Sequence, residues 1–114
     1  MEKIVERGLL YDFYGELLTE HQKEIYESVV DQDMSLSEIA DEYGISRQGV
    51  HDLIRRCDKS LADYEAKLHL LERFMVMRQQ ITRVRELTEA FSDSHDQTQI
   101  TEAQQLLDEI LQEL

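Results

Sequence analysis

SLSEIADEYGISRQGVHDLIRRC, residues 35–57, carries two helix starts and one helix stop, with an apolar stripe on each side of the stop. Ser35, with Glu38 three residues on, forms a capping box. Each side chain takes up a backbone N–H that the first helical turn leaves unpaired. Leu36, Ile39, Ala40 and Tyr43 then recur at helical spacing and give that helix one apolar face. Gly44 follows directly, where a sharp stop calls for positive φ without a Cβ clash. Ile45 is apolar and is expected to plug the turn into the core. Ser46 is a second N-cap, opening a helix that turns Val50, Leu53, Ile54 and Cys57 inward. The small Ala40 lets the two helices cross closely. Ala40, Gly44, Val50 and Leu53 in one register predict a helix-turn-helix, whose second helix commonly reads the DNA major groove.

The flanks extend this as helix. Residues 2–14 carry Ile4, Val5, Leu9, Leu10, Phe13 and Tyr14, a first helix ending near Gly15. Thr19 with Gln22 repeats the capping box and opens a second helix over residues 20–31, with Ile25, Tyr26 and Val29 inward. Met34 is expected to be buried after the polar loop 31–33. Beyond Cys57, Leu61, Tyr64, Leu68, Leu71, Met75, Ile81, Val84, Thr88 and Phe91 keep helical spacing, with Arg78 interrupting the stripe. One long helix over about residues 59–90, continuous with the motif's second helix, is the reading. Met75 and Met77 beside Phe74 suit helix–helix packing. SDSHDQ, residues 92–97, is expected to be a polar loop, with Thr98 or Thr101 capping a last helix. Ile100, Ala103, Leu106, Leu107, Ile110, Leu111 and Leu114 load that helix with more large aliphatics than stand free in water. It folds back as a hairpin or packs on a second copy, so a homodimer is expected. The fold class is all-α: a helix-turn-helix domain over residues 1–60, then a helical packing and dimerisation segment over 61–114.

Composition sets bounds. With no proline, four glycines and abundant Glu, Leu, Gln, Lys and Arg, the chain favours helices throughout. No apolar run approaches the roughly 20 residues that span a bilayer. The acidic start MEKIVERGLLYDFYGELL is no signal peptide, and Cys57 has no internal disulfide partner, which together point to the cytoplasm. The balance of 25 acids against 12 bases, net −13, runs against the basic footprint of a free-standing DNA binder. Residues 35–60 hold five acids and four bases, so the motif is the least acidic third.

Unrolling the helix from Arg47 at about 100° per residue puts His51 at about 40°, Arg55 at about 80°, Gln48 at about 100°, Lys59 at about 120° and Asp52 at about 140°. Val50, Leu53, Ile54 and Cys57 fall opposite. Arg47 and Gln48 are placed to reach base edges, guanine for Arg and adenine for Gln. Ser46 and the open N–H groups at the helix start suit a phosphate. Arg55, Arg56 and Lys59 suit backbone phosphates. Asp52 either accepts from a cytosine amine or pairs with Arg56 one turn on. His21, His51, His69 and His95 show no metal-ligand spacing, and no Gly-rich loop or nucleophilic constellation is present, so no metal, cofactor or catalytic residue is expected.

The stretch YGELLTEHQKEIYESVVDQDMSLSEIADEYGISRQGVHDLIRRC, residues 14–57, resembles region 4 of bacterial sigma factors. LLYDFYGELLTEHQ (9–22), SLSEIADEYGISRQGVHDLIRRCDKSL (35–61) and the Tyr64–Leu68 segment make the chain look like the YlxM family of small bacterial helix-turn-helix proteins. That resemblance implies a DNA-binding regulator of double-stranded DNA without catalytic residues. It also implies a setting in the signal recognition particle pathway, because the family's genes neighbour those of the particle's protein and receptor. The positions matching the sigma-like reading face are Ser46, Arg47, Gln48, His51, Asp52 and Arg55. The other function class is an acidic module for a protein or ribonucleoprotein partner, such as a component of that particle, keeping the fold without strong DNA binding.

Overall fold

The computed structural model describes residues 2–114, and the described residues are helical nearly throughout. Among them six α-helices follow one another: α1 Lys3–Tyr14, α2 Glu20–Val30, α3 Leu36–Tyr43, α4 Arg47–Leu68, α5 Leu70–Ser94 and α6 Gln97–Glu113, with a short 3-10 turn Gly15–Leu17 after α1. They divide into two compact units, the first ending at Leu71 and the second running Glu72–Leu114. The boundary expected after residue 60 falls inside α4.

In the first unit α1, α2 and α3 all pack on α4. The local signals are realised as spaced in the sequence. Thr19 accepts from the Gln22 amide and Ser35 from the Glu38 amide, and in each box the third helical side chain returns a bond to the cap amide. Gly44 closes α3 with φ 66°, in the left-handed region. Ser46 caps α4 by accepting from the Gly49 amide. Ile25, Tyr26, Ile39, Val50, Cys57 and Leu61 are sealed from solvent, and Leu10, Tyr14, Leu18, Ala40, Leu53 and Ile54 complete the core. Val29, Met34, Leu36 and Tyr43 are half-buried at its rim, so Met34 is less enclosed than expected.

Tyrosine hydroxyls tie this core to acids. Tyr14 donates to Glu65 (2.6 Å), Tyr26 to Asp58 (2.5 Å) and Tyr11 to Glu27 (2.6 Å). Burial first, and then the bonded carboxylate, raises all three phenols above their ordinary pKa, so each hydroxyl stays a donor.

Three sequence expectations are corrected. The single helix expected over residues 59–90 is broken at His69, whose φ of 57° ends α4. No glycine marks the place. A non-Gly residue there costs about 1–2 kcal/mol, offset by contacts distant in sequence. The Leu70 amide donates to the Tyr14 hydroxyl (3.1 Å) and the Leu71 amide to the Glu65 carboxylate (2.9 Å), so the acid that ends one helix also caps the next. The loop expected at 92–97 shrinks to His95 and Asp96, since α5 continues through Ser94. His95 takes φ 57° and Asp96 is the N-cap of α6 in place of Thr98 or Thr101, accepting from the Thr98 amide and hydroxyl. Those bonds hold the Asp96 carboxyl below its usual pKa.

The second unit is a helical hairpin. Leu87, Ala103 and Ile110 are buried along its seam, flanked by half-buried Val84, Phe91, Ile100 and Leu106. Arg83 meets Glu102 (3.4 Å) and Gln80 meets Glu109 (3.3 Å) across it. Ile81, Val76, Leu107, Leu111 and Leu114 remain exposed.

Candidate nucleic-acid interface

The second motif helix presents its polar face as the spacing requires. Ser46, Arg47, Gln48, His51, Asp52, Arg55, Arg56 and Lys59 are all exposed, while Val50, Leu53, Ile54 and Cys57 anchor the opposite side. The helix is rigid at this point because its buried stripe meets three helices. The face is therefore held by a core whose position does not depend on the polar side chains.

Among the described residues no carboxylate engages Arg47, Arg55 or Arg56, which leaves three guanidinium groups open to an incoming anion. Asp52 does not pair with Arg56. It accepts from Gln48 Nε2 (3.0 Å) and lies 3.7 Å from His51 Nδ1. Gln48 and Asp52 thus occupy one another, and Gln48 must exchange that bond to reach a base. Lys59 pairs with Asp63 one turn on (2.9 Å), an exposed pair worth at most about 1 kcal/mol and readily exchanged for phosphate. Asp52, Arg55, Arg56 and Lys59 line a shallow groove of about 470 Å³.

A second group of cations, absent from the sequence expectation, joins this face from α1. Lys3 and Arg7 line a cleft of about 540 Å³ with His51, Ile54, Arg55 and Asp58 of α4, Val29 of α2 and Leu36 of α3. Arg7 is fixed there by a two-point bond to Asp58, Nη2 to Oδ2 at 2.7 Å and Nε to Oδ1 at 3.1 Å. Their four-residue separation puts Lys3 and Arg7 on one side of α1, a sequence signal, but nothing local says that this side meets α4. Of the twelve lysines and arginines, Lys3, Arg7, Arg55, Arg56 and Lys59 line these two adjoining surfaces, and Arg47 is exposed in the first turn of α4.

Cys57 takes no part. It is sealed in the core, and burial pushes its thiol up to about 11, the behaviour of a packing residue. No group of three or more His, Cys, Asp or Glu side chains among the described residues is arranged to hold a metal ion.

Comparison with known proteins agrees with the helix-turn-helix fold. Residues 1–112 match the family model described as "Putative helix-turn-helix protein, YlxM / p13 like". A UPF0122 protein of Clostridium botulinum is 46% identical over 95 residues, covering 82% of this chain and 87% of the relative. The UPF0122 protein YlxM of Bacillus subtilis is 38% identical over 108 residues, covering 95% of this chain and 98% of the relative. A Bacillus velezensis relative matches to the same extent. The chain belongs to this helix-turn-helix family.

Proposed function

We propose, starting from that membership, that the protein is a non-enzymatic regulator that binds double-stranded DNA. The α4 residues Arg47, Gln48 and His51 enter the major groove, and Ser46, Arg55, Arg56 and Lys59 hold phosphates. The observation that carries the reading is the gathering of five of twelve cations in the two adjoining surfaces of α1 and α4, in a chain whose net charge is −13. Uniformly dispersed cations would have no such consequence, because a phosphate track is matched only by charges in a row. One copy offers few phosphate contacts, so a homodimer reading two half-sites supplies the affinity. Its contact surface is the aliphatic face that the hairpin leaves bare: Ile81, Leu107, Leu111 and Leu114. No helix of the described residues is long and apolar enough to cross a membrane, and we place the protein in the cytoplasm.

Fluorescence anisotropy against duplex DNA over a range of salt tests this. Binding is expected, with log K falling linearly against log salt, and Arg47→Ala should lower affinity for the preferred sequence by about tenfold or more, equivalent to about 1–3 kcal/mol. Absence of salt-dependent binding sinks the reading.

A second reading rests on the acidic remainder. Glu20, Glu24, Glu38, Asp41 and Glu42 are exposed on α2 and α3, a surface suited to a basic protein or ribonucleoprotein. The YlxM likeness makes a component of the signal recognition particle the natural partner. Affinity purification that recovers such a component from a charge-reversed α2 variant as well as from the wild type counts against it.

A further inference from the structure

The cleft between α1 and the flank of α4 has features that the reading face of α4 does not explain. Lys3, Arg7 and Arg55 bring three full cations to it against one carboxylate, Asp58. That carboxylate is already occupied. Arg7 grips both its oxygens, and the Tyr26 hydroxyl donates to Oδ1 at 2.5 Å. The bonds of Arg7 use Nε and one N–H of Nη2, leaving the Nη1 edge of the guanidinium with its donors unspent. Lys3 and Arg55 are exposed, and among the described residues no carboxylate engages them. The walls behind these groups are apolar, from Val29, Leu36 and Ile54. An open cleft with a cationic rim, its lone acid held from behind by Arg7, suits a single anionic group.

The position of the cleft says which anion. Arg55 lines both the cleft and the groove that holds Arg56 and Lys59. On the α4 wheel the sequence Arg56, Lys59, Arg55, His51, Asp58 sweeps from about 180° to about 20°. The cations therefore form one arc from the far edge of α4 onto α1. An arc of positive charge beside a recognition helix follows the backbone that borders the major groove.

We propose that this cleft seats a backbone phosphate of the bound DNA, with Lys3 and the free edge of Arg7 as its ligands, so that the first helix extends the footprint beyond the motif. The inference rests on the DNA-binding reading above and deepens it. Arg7 is also a structural residue through Asp58, whereas Lys3 is not, so Lys3→Gln is the clean probe.

The test is anisotropy of a labelled DNA duplex with wild type, Lys3→Gln and Arg47→Ala over a salt series, with circular dichroism to verify folding. Lys3→Gln should weaken binding by about threefold to tenfold, equally for all sequences, and reduce the salt slope by about 0.9. Neutral methylphosphonate placed at successive backbone positions should reveal one position whose neutralisation weakens the wild type but leaves Lys3→Gln unchanged. If Lys3→Gln matches the wild type in affinity and slope while Arg47→Ala is weakened, the cleft inference fails and the DNA reading stands. If the wild type shows no salt-dependent binding, both fall. Titration with inorganic phosphate supplies the last arm: loss of free-phosphate binding in Lys3→Gln with an unchanged DNA slope would make the cleft a small-anion site and overturn the proposal.

Discussion

Residues 2–71 and residues 72–114 are made from the same material, amphipathic helices rich in leucine and glutamate, and they bury it very differently. In the first unit α4 is covered by α1, α2 and α3, and six large or medium side chains lose all contact with water. Within the hairpin α5 and α6 meet along one seam. Leu87, Ala103 and Ile110 fill that single seam, while Ile81 keeps 52%, Leu111 67% and Leu114 82% of their surface in solvent. The polar bonds differ in the same sense. The first unit joins residues 51 apart in sequence through Arg7–Asp58 and Tyr14–Glu65, half-buried and short. The hairpin has exposed pairs at 3.3–3.4 Å between residues 29 and 19 apart in sequence. A helix needs two or more neighbours before its apolar stripe is enclosed. The first unit meets that condition internally and the second does not.

Paired truncations put that contrast at risk most directly. Leu61→Ala in the sealed core should cost about 2–5 kcal/mol in urea unfolding, whereas Leu111→Ala should leave the unfolding of an isolated copy nearly unchanged and instead shift sedimentation toward monomer. Equal destabilisation by both, with no change in mass, breaks the comparison. Tyr14→Phe should cost about 1–3 kcal/mol, because it strips the Leu70 amide and the Glu65 carboxylate of a partner at once. Hydrogen exchange at Leu70 and Leu71 should accelerate more than elsewhere.

The smallest effect is one of pH. The Cys57 thiol, ordinarily at 9.0, is pushed to about 11 by burial and by neighbouring Asp58. The folded state keeps the proton that the unfolded state loses, so this contribution is complete below pH 9 and disappears as pH rises toward 11. The raised phenols of Tyr11, Tyr14 and Tyr26 act in the same direction above pH 10. Stability should therefore fall from pH 9 upward. Cys57→Ala should flatten the part between 9 and 10, and an unaltered profile in that variant would remove the thiol from the account.

The helix-turn-helix was legible because its signals are local. Ser35, Glu38, Gly44 and Ser46 each act within one turn of backbone, and the stripe Val50, Leu53, Ile54, Cys57 follows from the helical period alone. The exposed face Ser46 to Lys59 was legible for the same reason, being the remainder of that period. The break at His69 was not. Histidine adopts φ 57° more readily than most non-glycine residues but is no helix stop by itself, and the conformation is held by Tyr14 and Glu65, one of which lies 55 residues away. The Asp96 cap is not legible either, because Ser92, Asp93, Ser94, Asp96, Thr98 and Thr101 are all cap-forming residue types.

The sequence by itself determined the helices, their caps and which side of α4 is polar, since these depend on interactions spanning about one to two turns. Only the tertiary structure brought Lys3 and Arg7 to Arg55, spent Asp58 on Arg7 and Tyr26, and divided one continuous apolar pattern at His69. Those outcomes depend on which helix faces meet, and helical periodicity fixes where a face lies on its own axis while leaving its neighbour open.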